Sequence, residues 1–223
     1  MNIRRSLSLA LVGAALTTAV AVPAVSAATP INAPAGSVLD VLEQDGTAFD
    51  GNWYDFDIVE AVARTVVDAK GVGGTTVAAL ADPNAALTVF APNDRAFQVL
   101  AHDLTGKWYS TESGVVGGIA GAIQDKLGLN VVDTLESVLL YHVIGGKVMF
   151  ADAKAASGAS VPTVLGPTIG IRYYGWINKL VLVDKDSDDI NPWVVNSKRD
   201  IQTSNGNSVI HGIALVLRPV NLP

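Results

Sequence analysis

The chain has 223 residues, with 15 lysine and arginine side chains against 21 aspartate and glutamate side chains, and its formal net charge at pH 7 is −6. This acidic balance disfavours binding to nucleic acid or to anionic lipid surfaces, because both repel negative charge. The sequence contains no cysteine, which excludes disulfide bonds, a thiolate metal site and a cysteine nucleophile.

Residues 1–27 have the pattern of a secretory signal peptide. Arg4 and Arg5 form a basic start, residues 7–22 are almost all apolar, and Val25-Ser26-Ala27 supplies the small residues of a cleavage site. We therefore predict cleavage after Ala27 and a secreted, extracellular protein.

The rest of the sequence predicts one domain. Residues 28–36 are rich in proline and alanine and are expected to form a flexible linker, and the domain is expected to cover 37–223. No apolar run after the signal peptide is long enough to span a bilayer. The sequence leaves the oligomeric state open.

The domain begins with helical patterns. Ser37 is placed to cap a short helix that begins at the next residue. Asp57 and Glu60 have the spacing of a capping box with Asp57 as the N-cap, and apolar residues then recur on one helical face. Residues 75–80 predict a further short helix.

The segment 87–97 reads Leu-Thr-Val-Phe-Ala-Pro-Asn-Asp-Arg-Ala-Phe. Its apolar start predicts a buried strand. Pro92 ends strand pairing because its nitrogen carries no hydrogen. Asn93 or Asp94 is then placed to cap the following helix. The motif predicts a strand, a turn and a helix, and it carries no catalytic group.

The segment 102–130 is longer than a simple connection between two elements needs. Their glycine-rich part, 114–123, predicts either a helix or an ordered loop, since each glycine costs a helix about 1 kcal/mol relative to alanine. The glycine spacing fits neither a P-loop nor a dinucleotide fingerprint. Asp133 and Glu136 then repeat the capping-box spacing ahead of an apolar helix that continues through Tyr141.

From Lys147 onward the sequence favours strands. The candidate strands are 147–150, 161–165, 168–174, 179–184, 193–198, and a final hairpin in which 209–211 and 213–217 are the apolar strand material after the turn. Asn205-Gly206 is the turn signal of that hairpin, because both residues tolerate a positive φ. Gly212 interrupts its second strand and indicates a bulge or a close backbone approach. Helices followed by strands predict an α+β architecture.

Three of these motifs resemble a known family when they are taken together. The segment 87–97, the run Leu139-Leu140-Tyr141-His142-Val143 and the segment 205–219 resemble the two boxes and the central Tyr-His of the fasciclin (FAS1) domain. The resemblance covers 37–219 and implies a wedge-shaped β-sandwich packed with several helices. It departs from the family at Ala214, where members usually have an acidic residue.

The resemblance also implies a function and a site. Fasciclin domains are associated with cell adhesion and matrix binding, and Tyr141 and His142 would form the adhesion motif. A structural role suits the same residues, with the rings at the end of a buried helix and His142 hydrogen-bonded to a backbone carbonyl. His211 lies between apolar strand residues, which favours a structural role.

Two further segments are candidate sites. Tyr173, Tyr174 and Trp176, together with Trp193, form the densest aromatic region, which binds a glycan or an apolar ligand if exposed and fills the core if buried. The acidic run 184–189 lacks the sixth-position glycine and twelfth-position glutamate of an EF-hand calcium loop, which favours a solvated loop.

The sequence gives little support to catalysis. It has no G-x-S-x-G or H-E-x-x-H motif and only three histidines. We expect a non-enzymatic adhesion or matrix-interaction module, without cofactor or metal, whose partner is an extracellular protein or glycan surface. The alternative is a soluble carrier that binds a small apolar ligand or glycan through the aromatic residues of 173–176. An inert structural or envelope-associated protein is a third class that the sequence does not separate from adhesion.

Overall fold

The computed structural model describes residues 33–44 and 46–221. The predicted signal peptide, and most of the predicted linker, lie outside the described residues. Within the described part, no helix combines the length and apolar character needed to cross a membrane.

In the described chain, most of the helices come before most of the strands. The helices are α1 (Val38–Leu42), α2 (Asp57–Lys70), α3 (Asp94–Thr105), α4 (Glu112–Gly121), α5 (Val131–Tyr141) and α6 (Phe150–Ala155). The strands are β1 (Leu87–Pro92), β2 (Val143–Gly145), β3 (Ser160–Pro162), β4 (Thr168–Tyr174), β5 (Lys179–Val183), β6 (Ile201–Gln202) and β7 (Val209–Ile213). Short 3-10 helices cover Thr76–Ala81 and Asn196–Lys198, and a π-helical turn covers Ala122–Lys126.

The strands form two sheets. The first has the order β2-β1-β7-β6, with β1 parallel to β7 and antiparallel to β2. The second has the order β3-β4-β5 and is antiparallel throughout. The parallel pairing places Phe90 of β1 opposite His211 of β7. The first and last sequence motifs are therefore neighbours in one sheet.

Two hydrophobic clusters lie on opposite faces of the first sheet. Val89 and Ile210 face the helices, where the larger cluster lies. Phe90 and Ile213 face the second sheet, where they pack with Leu182 and its neighbours. Side chains alternate between faces along a strand, so one strand serves both clusters. The predicted α+β class is confirmed, with a layer of helices on one sheet and the second sheet on its other face.

Two predicted N-caps are confirmed. The Ser37 side chain accepts the Asp40 N–H at 3.1 Å and caps α1. Asn93 accepts the Ala96 N–H at 3.0 Å and caps α3. Each contact joins residues three apart, which is why the local sequence was sufficient to predict it.

The predicted capping box of α2 is wrong. The helix begins at Asp57 itself, Phe56 is its N-cap, and no side chain of the cap residue makes a capping bond. Asp94 supplies the acceptor instead, since its Oδ1 accepts the Ile58 N–H at 3.0 Å. A carboxyl group 36 residues away in the sequence therefore stabilises the helix start.

The capping box predicted before α5 is also wrong. Asn130 is the N-cap and its side chain accepts the Asp133 N–H at 3.0 Å. Glu136 faces Lys70 of α2 and accepts a hydrogen bond from the Thr75 hydroxyl. Glu136 thus joins α5 to its neighbours rather than capping its own helix.

The strand predictions are confirmed for β1, β4 and β5 and for the pairing across the Asn205-Gly206 turn, and the others are wrong in whole or in part. Residues 147–150 lead into α6, whose first N–H, on Phe150, is accepted by Asp200 at 2.7 Å. In 193–198 only isolated bridges form, at Trp193 and Val194, before a 3-10 turn. The second predicted strand is limited to Ser160–Pro162, and β7 ends at Ile213 instead of continuing to 217.

The glycine-rich segment forms helix α4. A Cβ on Gly118 would lie 2.5 Å from the ring of Tyr109, and one on Gly114 would lie 3.3 Å from it. These two glycines therefore allow the tyrosine to pack against the helix backbone. Gly212 likewise confirms the predicted close approach, because its Cβ would lie 2.7 Å from Lys198.

Candidate functional site

Tyr141 is the last residue of α5 and is completely buried. Its hydroxyl donates to the carbonyl oxygen of Thr168 at 3.2 Å. Burial, with the nearby Asp184 carboxyl, raises the pKa of Tyr141 to about 12. The ring belongs to the cluster between the two sheets. The side chain therefore ties the end of α5 to β4.

His142 follows immediately and is only 3% exposed. Its Nδ1 lies 2.7 Å from the carbonyl oxygen of Val138, and its Nε2 accepts the Leu217 N–H at 2.9 Å. These contacts require a neutral ring with the proton on Nδ1. Burial lowers the pKa of His142 to about 4, which keeps the ring neutral. An adhesion role for Tyr141 and His142 stays a prediction, and the structure places both side chains inside the domain.

His211 is buried in β7 and has both ring nitrogens engaged. Its Nε2 lies 3.0 Å from the carbonyl oxygen of Val148, and its Nδ1 accepts the Asp200 N–H at 3.1 Å. Burial lowers the pKa of His211 as well. The ring joins β7 to the segments before α6 and β6.

The predicted aromatic region lies at the turn between β4 and β5. Trp176 is 83% exposed and Tyr174 is 41% exposed, as is the neighbouring Ile177. Tyr173 is half-buried and its hydroxyl donates to Asn178 Oδ1 at 2.9 Å. Trp193 is half-buried and bridges to Val181 of β5, with the Lys179 ammonium 4.2 Å from its ring centroid. We call Tyr174, Trp176 and Ile177 the hairpin tip.

The acidic run 184–189 is held by Arg218. The guanidinium donates to Asp186 at 3.0 Å and to Asp189, and it also binds Asp103 of α3. The Arg218 N–H donates to Asp184 Oδ2 at 2.8 Å. The prediction of a solvated loop is wrong for Asp186, which is buried. An arginine more than 25 residues away supplied the counter-charge that the local sequence did not show.

A cluster of carboxyl groups, missed at the sequence level, surrounds Asp55. Asp55, Asp57 and Asp94 are buried and present carboxylate oxygens within 4.8 Å of one another, and Asp50, Asp55 and Glu112 form a second such group. Burial, followed by the neighbouring carboxyl groups, raises the pKa of Asp94 to about 9. Such oxygens suit a hard cation. A proton held by Asp94 stabilises the same arrangement, because it removes one negative charge.

An apolar cavity of about 440 Å³ lies among the helices of the described structure. We call it the helical cavity. Its walls come from α2, α3, α4 and α5 and from the segment 216–220. The aliphatic and aromatic residues that line it are Ile58, Val59, Val62, Phe97, Leu100, Leu104, Val116, Ile119, Ala120, Ile123, Leu127, Leu129, Leu135, Val138, Leu139, Val216, Leu217 and Val220. None of the four aromatic residues of the hairpin region is in this lining.

Comparisons with known proteins place these observations in a family. The family model described as "Fasciclin domain" matches residues 64–219. Among solved structures, the FAS1 domain pair from the insect cell adhesion molecule Fasciclin I is similar, with 15% sequence identity and a TM-score of 0.41. That match covers 70% of this chain and 43% of the other, so this chain spans less than half of its length. A search of the curated proteins found no match.

Proposed function

Because the chain belongs to the fasciclin domain family, we propose that it is a secreted, non-enzymatic adhesion module that binds an extracellular protein surface through the hairpin tip. Fasciclin domains are typically extracellular or located at the cell surface. The observation that carries the proposal is the exposure of Trp176, 83%, beside two other exposed apolar side chains.

The composition of the hairpin tip favours a protein partner. Tryptophan and tyrosine are enriched among the residues that carry most of the binding energy of protein interfaces. Ile177 adds an aliphatic surface, which suits an apolar pocket on a protein better than it suits a sugar face. The β4–β5 ladder runs up to Tyr174 and Lys179 and so presents the tip at the end of a paired hairpin.

The state of the histidines supports a function without catalysis. His142 and His211 are buried, and each has both ring nitrogens engaged within the domain. His102 is partly exposed and stacks on Trp108, with its Nδ1 3.6 Å from the Asp103 carboxylate. A general base must reach the proton that it abstracts. The two buried rings offer no free nitrogen for this purpose.

The test is binding of the purified protein to an array of immobilised extracellular matrix proteins and polysaccharides. Trp176→Ala is expected to weaken saturable binding to a protein at least tenfold. Trp108→Ala is the matched control, because Trp108 is also exposed but lies in the connection between α3 and α4. Equal binding by the wild-type protein and Trp176→Ala would contradict the proposal.

Two alternatives for the aromatic region and the central motif are tested by the same array. Binding to polysaccharides, lost in Trp176→Ala, would instead support the alternative of a glycan carrier that uses Tyr173, Tyr174 and Trp176.

For Tyr141 and His142 we propose an adhesion role that acts through the fold, since both side chains are buried. The double substitution to alanine should then lower thermal stability and binding together, whereas lost binding at unchanged stability would indicate direct contact.

A further inference from the structure

The helical cavity reaches the surface beside exposed lining residues of both kinds: Leu129 and Val220 are apolar, and Asn130 and Asp133 are polar. Leu129, in the connection between α4 and α5, is 50% exposed, and Val220 is 57% exposed. Both belong to the lining of the cavity. Exposed aliphatic side chains continuous with an apolar interior lower the cost of moving an apolar molecule from water into the protein. The cavity therefore has an entrance suited to such a molecule.

The polar residues in the lining leave few hydrogen-bonding groups for a ligand. They are Asn130, Asp133, Thr134, Ser137, His142 and Arg218. On α5, Asn130 caps the helix through its side-chain oxygen, and the hydroxyls of Thr134 and Ser137 donate to backbone carbonyls one turn earlier. The Asn130 oxygen and the two hydroxyls therefore already have partners on their own helix.

The charged and ring groups of the lining are occupied as well. Asp133 pairs with Lys70 at 2.6 Å. The Arg218 guanidinium binds three aspartates, and both nitrogens of His142 have backbone partners. A charged ligand head group would therefore lose its hydration without gaining an open partner of opposite charge. The chemistry of the lining selects against an ionised ligand.

We propose that the helical cavity binds one uncharged molecule with an aliphatic chain, such as a long-chain alcohol or a neutral lipid chain, through apolar contacts alone. The volume of about 440 Å³ lies within the usual range of ligand pockets, about 300–1,000 Å³. Aliphatic side chains predominate, and Phe97 is the one aromatic residue in the lining. This site is distinct from the hairpin tip and does not depend on the function proposed for it.

The test is isothermal titration calorimetry of the purified protein with octan-1-ol, decan-1-ol and decanoate. Decan-1-ol should bind saturably at one site, and each added methylene should strengthen binding about fourfold if the chain is fully buried. Decanoate, which has the same chain length and an ionised head group, should bind at least tenfold more weakly. Since no tryptophan lines the cavity, tryptophan emission should change little on binding.

Variants locate the binding. Val138→Phe places a larger side chain in the lining and should weaken decan-1-ol binding at least tenfold. Leu129→Asn replaces an exposed apolar residue of the lining by a polar one and should weaken decan-1-ol binding severalfold. Ile190→Asn is the matched control, because Ile190 is an exposed aliphatic residue, 72% accessible, outside the cavity lining. It should bind like the wild-type protein.

Several results would overturn this proposal. Absence of saturable decan-1-ol binding by the wild-type protein is one, and equal affinity for decanoate is another. Unchanged binding by folded Val138→Phe and Leu129→Asn would place the site elsewhere. A wild-type dimer that Val138→Phe disrupts would assign the cavity to a second copy of the chain. If Val138→Phe does not fold, the comparison of decan-1-ol binding by Leu129→Asn and by Ile190→Asn decides alone.

Discussion

Replacing Asp94 by asparagine should stabilise the protein at alkaline pH. It should also make the free energy of unfolding less dependent on pH between pH 6.5 and 8.5. Burial, with the neighbouring Asp55 and Asp57 carboxyl groups, raises the pKa of Asp94 from 3.8 to about 9. Between these values the folded state holds a proton that the unfolded state has lost. Stability therefore falls as the pH rises through this interval, by about 1.4 kcal/mol per pH unit for one full proton.

The histidines titrate mainly at the acidic end of this pH interval and below it. Burial lowers the pKa values of His142 and His211, so both destabilise the folded state as the pH falls through the unfolded-state value near 6.5, and both are unchanged in the variant. From pH 6.5 to 8.5 the Asp94 proton alone corresponds to a loss of up to about 3 kcal/mol. Glu112 and Asp184 also have raised pKa values. Both are unchanged in the variant, so the difference between the two proteins reports on Asp94 together with the Asp55 and Asp57 carboxyl groups that interact with it.

Asparagine preserves the contacts of the protonated carboxyl. Its side-chain oxygen can accept the Ile58 N–H, and its NH₂ group can donate to Asp55 without titrating. The free energy of unfolding, measured by urea titration at pH 6.5, 7.5 and 8.5, should fall in the wild-type protein and fall less in Asp94→Asn. Asp94→Ala is the control, because it leaves the Ile58 N–H without this acceptor and should be destabilised at all three pH values. Equal slopes in the wild-type protein and Asp94→Asn would refute the reasoning.

Three further predictions concern other parts of the fold. Gly117→Ala should raise the free energy of unfolding by about 0.5–1 kcal/mol, since its Cβ meets nothing within 4 Å. Gly118→Ala should lower it, because the added methyl collides with a tyrosine ring, and thermal unfolding compares the two. Acidification from pH 6.5 to 4 should destabilise the wild-type protein more than His142→Gln, because the folded state resists protonation of the ring. A steeper loss in the variant would contradict this. Arg218→Met should cost about 3 kcal/mol by leaving the buried Asp186 carboxylate without its guanidinium, as chemical denaturation would show. Unchanged stability would show that another group compensates.

The sequence predicted elements well where the deciding contacts are local. The strand that begins at Leu87, the cap at Asn93 and the turn at Asn205-Gly206 each depend on residues within a few positions of one another. The α+β class followed from the order of these patterns. Capping, turn formation and side-chain alternation act over a few residues, so the sequence shows them directly.

The sequence failed where a distant residue supplied the partner. Asp57 has the spacing of a helix cap, but Asp94 makes the capping bond to α2. The run 184–189 has the composition of a solvated loop, but Arg218 draws Asp186 into the interior. In both cases a side chain from another element decided the outcome.

The sequence by itself determined the absence of cysteine chemistry, the main helices and strands, and the motifs that resemble the fasciclin domain. Only the tertiary structure decided that Tyr141 and His142 are buried, that Trp176 is exposed, and that the helices enclose a cavity. Local hydrogen bonds and hydrophobic periodicity form an element, whereas burial depends on which elements pack against it. The surface and the cavity therefore appear only when residues far apart in the sequence are brought together.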